Sequence, residues 1–191
     1  MKIKAAVLYE KGKPRPYNQL KPLHLEDVYL GKPLQDEVLV KIRAAGLCHS
    51  DLSVIDGSRP RPLPMVIGHE AAAEVVECGA VVTDLKAGDH VVFSFVPGCG
   101  HCMPCASGRP ALCEPGAAAN AKGELLSAGV RLKNSDSQDL KYHLGVSAFA
   151  EYAIVSRRSL VKIDKEIPFE IAALFGCAVL TGVGAVINTA N

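Results

Sequence analysis

A chain of 191 residues is long enough for one large domain, or for one domain and the beginning of another. Hydrophobic residues make up 49% of the chain, so we expect a sizeable core. The 21 basic and 20 acidic side chains leave a net charge of +1, and this balance argues against binding to nucleic acid or to an anionic membrane surface.

The first two thirds of the chain predict short β-strands. Runs rich in valine, isoleucine, leucine and phenylalanine alternate with glycine, proline and aspartate, which is typical of strands and turns. Between the strands, LCHSDLSVIDG predicts a short helix, RPRPLP a stiff loop, and residues 114–147 an inserted surface loop. The predicted strands are KIKAAVLYE, HLEDVYL, EVLVKIRAAG, EAAAEVVECG and DHVVFSF, followed by a strand pair or one long strand in FAEYAIVSRRSLVKI.

Helices are predicted after Ile167. Pro168 suits a first helical turn, and the apolar residues that follow have helical spacing. Residues 171–187 carry no charge and approach the length of a membrane-spanning helix, about 17 residues. Glycines interrupt this segment, so we favour helices that connect two domains over a membrane span. The fold class is therefore mainly β (α+β) with C-terminal helices.

The N-terminal sequence and the cysteines both bear on the cellular compartment. The apolar run in MKIKAAVLYEKGK is too short for the core of a signal peptide. The chain has seven cysteines, and clustered thiols in a chain without an export signal indicate a reducing compartment, where metal binding is favoured over disulfides. We expect a cytoplasmic protein.

Four cysteines form the cluster C-x2-C-x2-C-x7-C in residues 99–113. Short C-x2-C steps let one turn present two thiolates to one ion, and four thiolates close a tetrahedral zinc site that leaves no position for substrate. The cluster therefore predicts a structural zinc, with an iron–sulfur cluster, disulfides and free thiols as alternatives. Its members are Cys99, Cys102, Cys105 and Cys113.

A second group of possible metal ligands is scattered along the chain. Cys48 follows a predicted strand, His69 lies in VIGHEA, and Cys177 lies in LFGCAVLTG. Two thiolates and one imidazole leave a fourth position open, as a catalytic zinc requires. Each residue alone is a weak signal, because a lone buried cysteine is usually a small hydrophobe.

In their order along the chain, these motifs resemble those of the zinc-dependent medium-chain alcohol dehydrogenases. The resemblance covers essentially the whole chain. It implies that residues 1–175 form a GroES-like β-barrel catalytic domain and that residues 176–191 begin the connection to a Rossmann coenzyme domain. By this resemblance we expect the coenzyme domain to be absent from residues 1–191 and to follow Asn191.

The resemblance also assigns roles to individual residues. Cys48, His69 and Cys177 would hold the catalytic zinc. Asp51 would orient the histidine ligand, and Glu70 would lie beside the metal or bind it occasionally. The remaining roles are those of Ser50, which would take the proton of the alcohol, His49, which would contact the coenzyme pyrophosphate, and Thr181, which would lie beside the nicotinamide.

The activity implied is oxidation of primary or secondary alcohols to aldehydes or ketones, with hydride transfer to NAD or NADP and two zinc ions per chain. The partners would be a small alcohol or aldehyde and, in the full-length protein, further copies of the same chain; we expect no nucleic acid and no membrane. Without a coenzyme domain we expect no activity. The alternatives are a thiol-adduct (S-hydroxymethyl) formaldehyde dehydrogenase of the same family and a non-catalytic zinc-binding interaction module.

Overall fold

A computed structural model describes residues 1–190, so Asn191, the last residue of the predicted connection 176–191, lies outside the described residues. Ten strands in the described residues form two sheets, one of them a closed barrel. The mainly β character predicted from the sequence is confirmed.

The closed barrel consists of five strands in the order β1-β2-β7-β8-β4. Neighbouring strands are antiparallel, except that β4 and β8 run parallel. Inward side chains such as Ile3, Val7 and Tyr142 fill its core, because successive side chains of a strand point to opposite faces. The barrel strands are β1 (Lys2–Leu8), β2 (Leu23–Leu30), β4 (Met65–Val66), β7 (Leu132–Lys133) and β8 (Asp139–Tyr142).

The second sheet is fully antiparallel and has the order β10-β6-β5-β3-β9. Val38 and Val40 pack into its own core, whereas Leu39 between them packs into the barrel core. Two apolar layers therefore cover β3, which explains the unbroken run EVLVKI in its sequence. The strands are β3 (Glu37–Gly46), β5 (Glu70–Cys78), β6 (His90–Phe93), β9 (Tyr152–Ser156) and β10 (Leu160–Ile163).

Short helices lie between the strands and follow them. The helix α2 follows β3, as the sequence predicts, and 3₁₀ turns cover Pro110–Leu112 and Arg157–Ser159. A π-helix at Phe175–Val179 runs directly into α6. The α-helices are α1 (Tyr17–Leu20), α2 (His49–Ile55), α3 (Met103–Ala106), α4 (Glu114–Lys122), α5 (Phe169–Ala172) and α6 (Leu180–Asn188).

Two sequence predictions of local structure are wrong. Residues 114–147 are not an inserted loop, because they form α4 and then β7 and β8, without which the barrel does not close. FAEYAIVSRRSLVKI contains two strands, but they do not pair with each other. A 3₁₀ turn sends β9 and β10 to opposite edges of the second sheet.

The C-terminal helical segment is apolar and mostly exposed. By length and composition alone, Phe169–Asn188 is sufficient to cross a membrane, which for a single helix is weak evidence. Ala172, Ala173 and Cys177 are its buried side chains, and the two alanines pack on Ala72 and Val92 of the second sheet. Its exposed apolar side chains are Ile171, Leu174, Phe175, Val179, Leu180, Val183, Val186 and Ile187.

Candidate metal centres

Three distant parts of the chain meet at one possible metal centre, which we call the Cys48 centre: Cys48, His69 and Cys177. Cys48 is the N-cap of α2, His69 immediately precedes β5, and Cys177 lies in the π-helix. One donor atom from each residue lies within 4.8 Å of the other two. The structure therefore brings together the three residues that the sequence singled out.

The geometry of the Cys48 centre suits a tetrahedral ion. The two sulfur atoms are 4.0 Å apart. Two Zn–S bonds of about 2.3 Å at a tetrahedral angle require a separation of roughly 3.8 Å. Two thiolates and one imidazole leave a fourth position for an exchangeable ligand, so this donor set fits a catalytic zinc.

Asp51 holds the imidazole of His69. Asp51 is only 3% exposed, and its Oδ1 lies 3.0 Å from Nδ1 of His69. This contact leaves Nε2 of His69 facing the two thiols, as a metal ligand requires. Burial by itself would raise the pKa of Asp51, but the neighbouring imidazoles of His143 and His69 outweigh burial and hold the pKa of the carboxyl group well below its usual range.

The two thiols of the Cys48 centre differ in acidity. Burial opposes ionisation of Cys48, but contact with Ser50 and the charge of His69 prevail, so the pKa of Cys48 is lowered. Burial and the neighbouring Cys48 raise the pKa of Cys177 to about 12. Without a metal, Cys48 therefore ionises more readily than an ordinary thiol, and Cys177 less readily. A bound cation would stabilise both thiolates.

Close packing fixes the position of Cys177. Gly176 lies so near β6 that a Cβ atom there would overlap the carbonyl oxygen of Phe93. On the other side of Cys177, the backbone N–H of Ala178 donates to Oε1 of Glu70 at 2.9 Å. Glu70 is 2% exposed, and the structure shows it bonded to the backbone beside a possible metal ligand.

The remaining predicted residues border the Cys48 centre or its approach. Ser50 Oγ lies 3.1 Å from the sulfur of Cys48 and 3.4 Å from Nε2 of His69. His49 is exposed at the start of α2, where Ser53 Oγ donates to its carbonyl oxygen. Cys177 and Thr181 line a cleft of about 880 Å³.

His143 also contacts this centre, and the sequence analysis missed it. Its Nδ1 lies 3.2 Å from Oδ1 of Asp51, and its ring stands edge-on to that of His69 with centroids 5.5 Å apart. Burial lowers the pKa of His143 despite the nearby carboxylate. No local motif marks this residue, because its contact with Asp51 is created by the fold.

The four-cysteine centre is formed by Cys99, Cys102, Cys105 and Cys113, whose sulfur atoms lie within 4.8 Å of one another. Backbone N–H groups point at these sulfurs, for example from Cys99 to Cys113 at 3.1 Å. Helix α4 begins directly after Cys113, and its Gly116 N–H donates to the same sulfur at 3.3 Å. Amide donors and a helix N-terminus favour thiolates, so this donor set fits a closed zinc site.

All seven cysteines are free thiols in the structure. The disulfide alternative for the four-cysteine cluster therefore has no geometric support. Cys78 contributes to neither centre and ends β5, where its thiol donates to the carbonyl oxygen of Leu85 at 3.5 Å.

Sequence comparison with known proteins identifies the family in which this architecture occurs. The family model described as alcohol dehydrogenase GroES-like domain matches residues 34–165. The chain is 41% identical over 192 residues to an S-(hydroxymethyl)glutathione dehydrogenase of Synechocystis sp., covering 100% of this chain and 50% of that protein. It is 39% identical over 192 residues to alcohol dehydrogenase B of Mycobacterium tuberculosis, covering 100% of this chain and 49% of that protein.

The similarity extends to solved structures. The crystal structure of an alcohol dehydrogenase zinc-binding domain protein from Burkholderia ambifaria matches with a TM-score of 0.88 and 39% identity, over 98% of this chain and 49% of that one. The chain spans about half the length of the curated relatives it matches. The predicted GroES-like fold is confirmed, and the chain belongs to the zinc-dependent medium-chain alcohol dehydrogenase family.

Proposed function

We propose that this chain is the zinc-binding catalytic part of an alcohol dehydrogenase that oxidises small alcohols to aldehydes or ketones. The observation that carries the proposal is the convergence of donor atoms from Cys48, His69 and Cys177 within 4.8 Å. The cleft beside them, lined in part by Cys177 and Phe95, is large enough for a small organic substrate.

A bound zinc would supply a Lewis acid that lowers the pKa of a hydroxyl group. Asp51 would keep the Nε2 of His69 turned toward the two thiolates throughout. Ser50, 3.1 Å from the sulfur of Cys48, would accept the proton of the alcohol and pass its own proton outward. His49, exposed at the start of α2 and 3.4 Å from Ser53 Oγ, would offer that proton a short route to solvent.

The electron pair of the oxidised C–H bond would leave as hydride to the nicotinamide of NAD or NADP. We place Thr181 beside that ring and His49 against the coenzyme phosphates. The position of Thr181 on the cleft that also contains Cys177 supports this arrangement. The adenine and ribose would be bound by protein outside these residues, so the activity belongs to the whole enzyme.

A second candidate for the substrate class is an S-(hydroxymethyl) thiol adduct. The relative from Synechocystis is an S-(hydroxymethyl)glutathione dehydrogenase and is 41% identical to this chain. Joining this chain to the second half of the Burkholderia ambifaria protein would permit a direct comparison of benzyl alcohol with S-(hydroxymethyl)glutathione. A preference for benzyl alcohol supports the main proposal, and a preference for the thiol adduct favours the second candidate.

We also propose a cytoplasmic location and a homo-oligomeric whole enzyme. Seven unpaired cysteines, six of them in two metal-capable centres, would be at risk of oxidation outside a reducing compartment. The exposed apolar side chains of α6 are suited to contact with further protein.

Metal content per purified chain tests the proposal. Elemental analysis would compare wild type with Cys48→Ser and Cys99→Ser, which address one centre each. We expect about two zinc ions in wild type and one fewer in each variant, as two independent thiolate sites require.

Other metal contents would contradict the proposed function. A single zinc, lost only in Cys99→Ser, would mean that the four-cysteine centre binds metal and the Cys48 centre does not. The chain would then be the non-catalytic zinc module. Iron in place of zinc would contradict the assignment of the Cys48 centre and of the four-cysteine centre as zinc sites.

A further inference from the structure

His143 is a buried histidine whose placement the proposed reaction does not yet explain. It is 1% exposed and lies between β8 and the turn that leads to β9. Its Nδ1 approaches the same Asp51 oxygen, Oδ1, that accepts from His69, at 3.2 Å compared with 3.0 Å. The approach of His143 Nδ1 does not have the geometry of a hydrogen bond, so it is a close polar contact beside the hydrogen bond that His69 makes. Two imidazoles therefore face one buried carboxylate oxygen.

The Asp51 carboxylate is surrounded by donors that come from different parts of the chain. Oδ2 accepts from the backbone N–H of Cys48 at 3.1 Å, while Oδ1 faces His69 and His143. A buried carboxylate needs such partners, because an ionised group without them is costly to bury. Two hydrogen bonds and the close approach of His143 therefore leave the carboxylate little room to rotate.

Hydrogen bonds also fix the backbone around His143. The N–H of His143 donates to Ser147 Oγ at 3.0 Å, and that hydroxyl donates to the carbonyl oxygen of Val66 at 2.7 Å. Leu144 and Ser147 have positive φ angles of 54° and 52°, which non-glycine residues rarely adopt. A strained turn is thus tied to the segment that leads into His69.

We propose that His143 is a positioning residue for the metal ligand His69. Nδ1 of His143, 3.2 Å from Asp51 Oδ1, restricts the carboxylate, so that the carboxylate can fix the His69 ring with Nε2 toward the two thiolates. This inference rests on the proposed function, because it concerns zinc bound at the Cys48 centre. It predicts that the kinetic stability of that zinc depends on a residue that does not touch the metal.

Three variants test the inference. His143→Leu removes the polar ring nitrogens and puts an apolar side chain of similar size in their place. His143→Asn keeps an N–H close to the former Nδ1 position. His90→Leu is the matched control, because Nδ1 of His90 also lacks a hydrogen-bond partner among the described residues, but His90 is only partly buried and packs on Phe169 away from the Cys48 centre.

The measurements are the release of zinc to a chelator and the visible spectrum of the cobalt-substituted chain. The release phase that is missing in Cys48→Ser identifies zinc at the Cys48 centre. We expect His143→Leu to accelerate that phase by about 10- to 100-fold, the usual effect of losing a partner that orients a ligand. The cobalt bands should shift, while the zinc of the four-cysteine centre should leave at the wild-type rate.

His143→Asn and His90→Leu should both give release rates and cobalt bands close to those of wild type. If His143→Leu fails to fold, Ser147→Ala replaces it, since this change loosens His143 without altering its ring. Ser147→Ala should also accelerate release from the Cys48 centre only.

Two results would overturn the inference alone: two zinc ions in wild type with an unchanged rate and spectrum in His143→Leu, or an Asn variant as impaired as the Leu variant. A wild-type chain that binds zinc only at the four-cysteine centre would overturn the proposed function and this inference together.

Discussion

At the scale of single residues, Asp51 uses its two carboxylate oxygens for two different tasks. Oδ2 accepts from the N–H of Cys48 and closes the start of α2, while Oδ1 holds the ring of His69. One side chain thereby links the helix that carries one possible ligand to the imidazole of another. An ordinary helix-capping aspartate and a ligand-orienting aspartate are here the same residue.

Asp51→Asn should weaken zinc binding at the Cys48 centre by about 10- to 100-fold. An amide has one acceptor oxygen, so either Cys48 N–H or His69 Nδ1–H would face an N–H donor. Competition with a chelator would measure the zinc affinity. Asp56→Asn is the control, because Asp56 ends the same helix and accepts only from Ser58. Equal affinities in the two variants would contradict the double role of Asp51.

One thiol of the zinc-free four-cysteine centre, Cys99, should ionise at unusually low pH, whereas burial and the neighbouring thiols raise the pKa of Cys105 to about 11. Hydrogen bonding from the backbone of His101 is the largest influence that lowers the pKa of Cys99, to about 6, from an ordinary value of 9.0. The folded state therefore favours the thiolate. Its contribution to stability is present in full above the ordinary value and is lost as the pH falls through about 6.

Ultraviolet absorbance of the thiolate tests this prediction in metal-free protein. The difference between wild type and Cys99→Ser should titrate with a midpoint near pH 6. Burial instead raises the pKa of Cys78, so the difference between wild type and Cys78→Ser should stay flat in this range. A Cys99 signal that appears only at the ordinary pKa of a thiol would show that the backbone donors do not act on it.

At the scale of secondary-structure elements, the sequence revealed strands with clear patterns and missed short ones. EVLVKIRAAG coincides with β3, Glu37–Gly46, because a strand covered on both faces has a continuous apolar run. In contrast, β7 contains two residues and β8 four, too few for an alternating pattern to be visible. Their pairing with β2 and β4 is a property of the closed barrel, not of local sequence.

The metal centres show the same difference between features that the local sequence reveals and contacts that only the fold creates. Residue types and spacing were enough to identify the four-cysteine cluster, since its members are close in sequence. The contact between Glu70 and the N–H of Ala178 joins residues 108 positions apart, and no local signal encodes it. The contact of His143 with Asp51 is likewise formed by the fold. Sequence reasoning could therefore name candidate ligands but could not find all the groups that hold them in place.

The π-helix that carries Cys177 should depend on Gly176. A Cβ atom in Gly176→Ala would overlap the Phe93 carbonyl oxygen, so the π-helix and β6 would have to separate. We expect the free energy of unfolding to fall by about 1–3 kcal/mol, the usual cost of overpacking. Zinc affinity at the Cys48 centre should fall as well, because Cys177 moves with the helix.

Gly182→Ala is the matched control. A Cβ atom at Gly182 would have no neighbour within 4 Å, and alanine favours a helix interior over glycine by roughly 0.5–1 kcal/mol. Urea unfolding and chelator competition would be measured for both variants. If Gly176→Ala kept wild-type stability and zinc affinity, close packing on β6 would not be what fixes Cys177.

At the scale of the whole molecule, one buried ion pair joins the two sheets. Glu37, the first residue of β3, is 0% exposed, and its carboxylate accepts from Arg131 Nη2 at 2.7 Å and Nε at 3.0 Å. Arg131 immediately precedes the barrel strand β7, and the hydroxyl of Ser127 donates to the same carboxylate. The pair therefore connects the second sheet to the part of the barrel that closes last along the chain.

Glu37→Gln should lower the free energy of unfolding by about 3 kcal/mol or more, because it leaves the guanidinium of Arg131 largely buried without a counter-charge. Urea unfolding of the zinc-loaded chain would measure this change. Asp139→Asn is the control, since Asp139 pairs with Lys133 in the same part of the barrel but both side chains are more than half exposed. An exposed pair contributes about 1 kcal/mol or less, so the control should remain near wild type. If the two variants lost equal stability, the Glu37–Arg131 pair would be no more than another surface contact, and apolar packing alone would join the sheets.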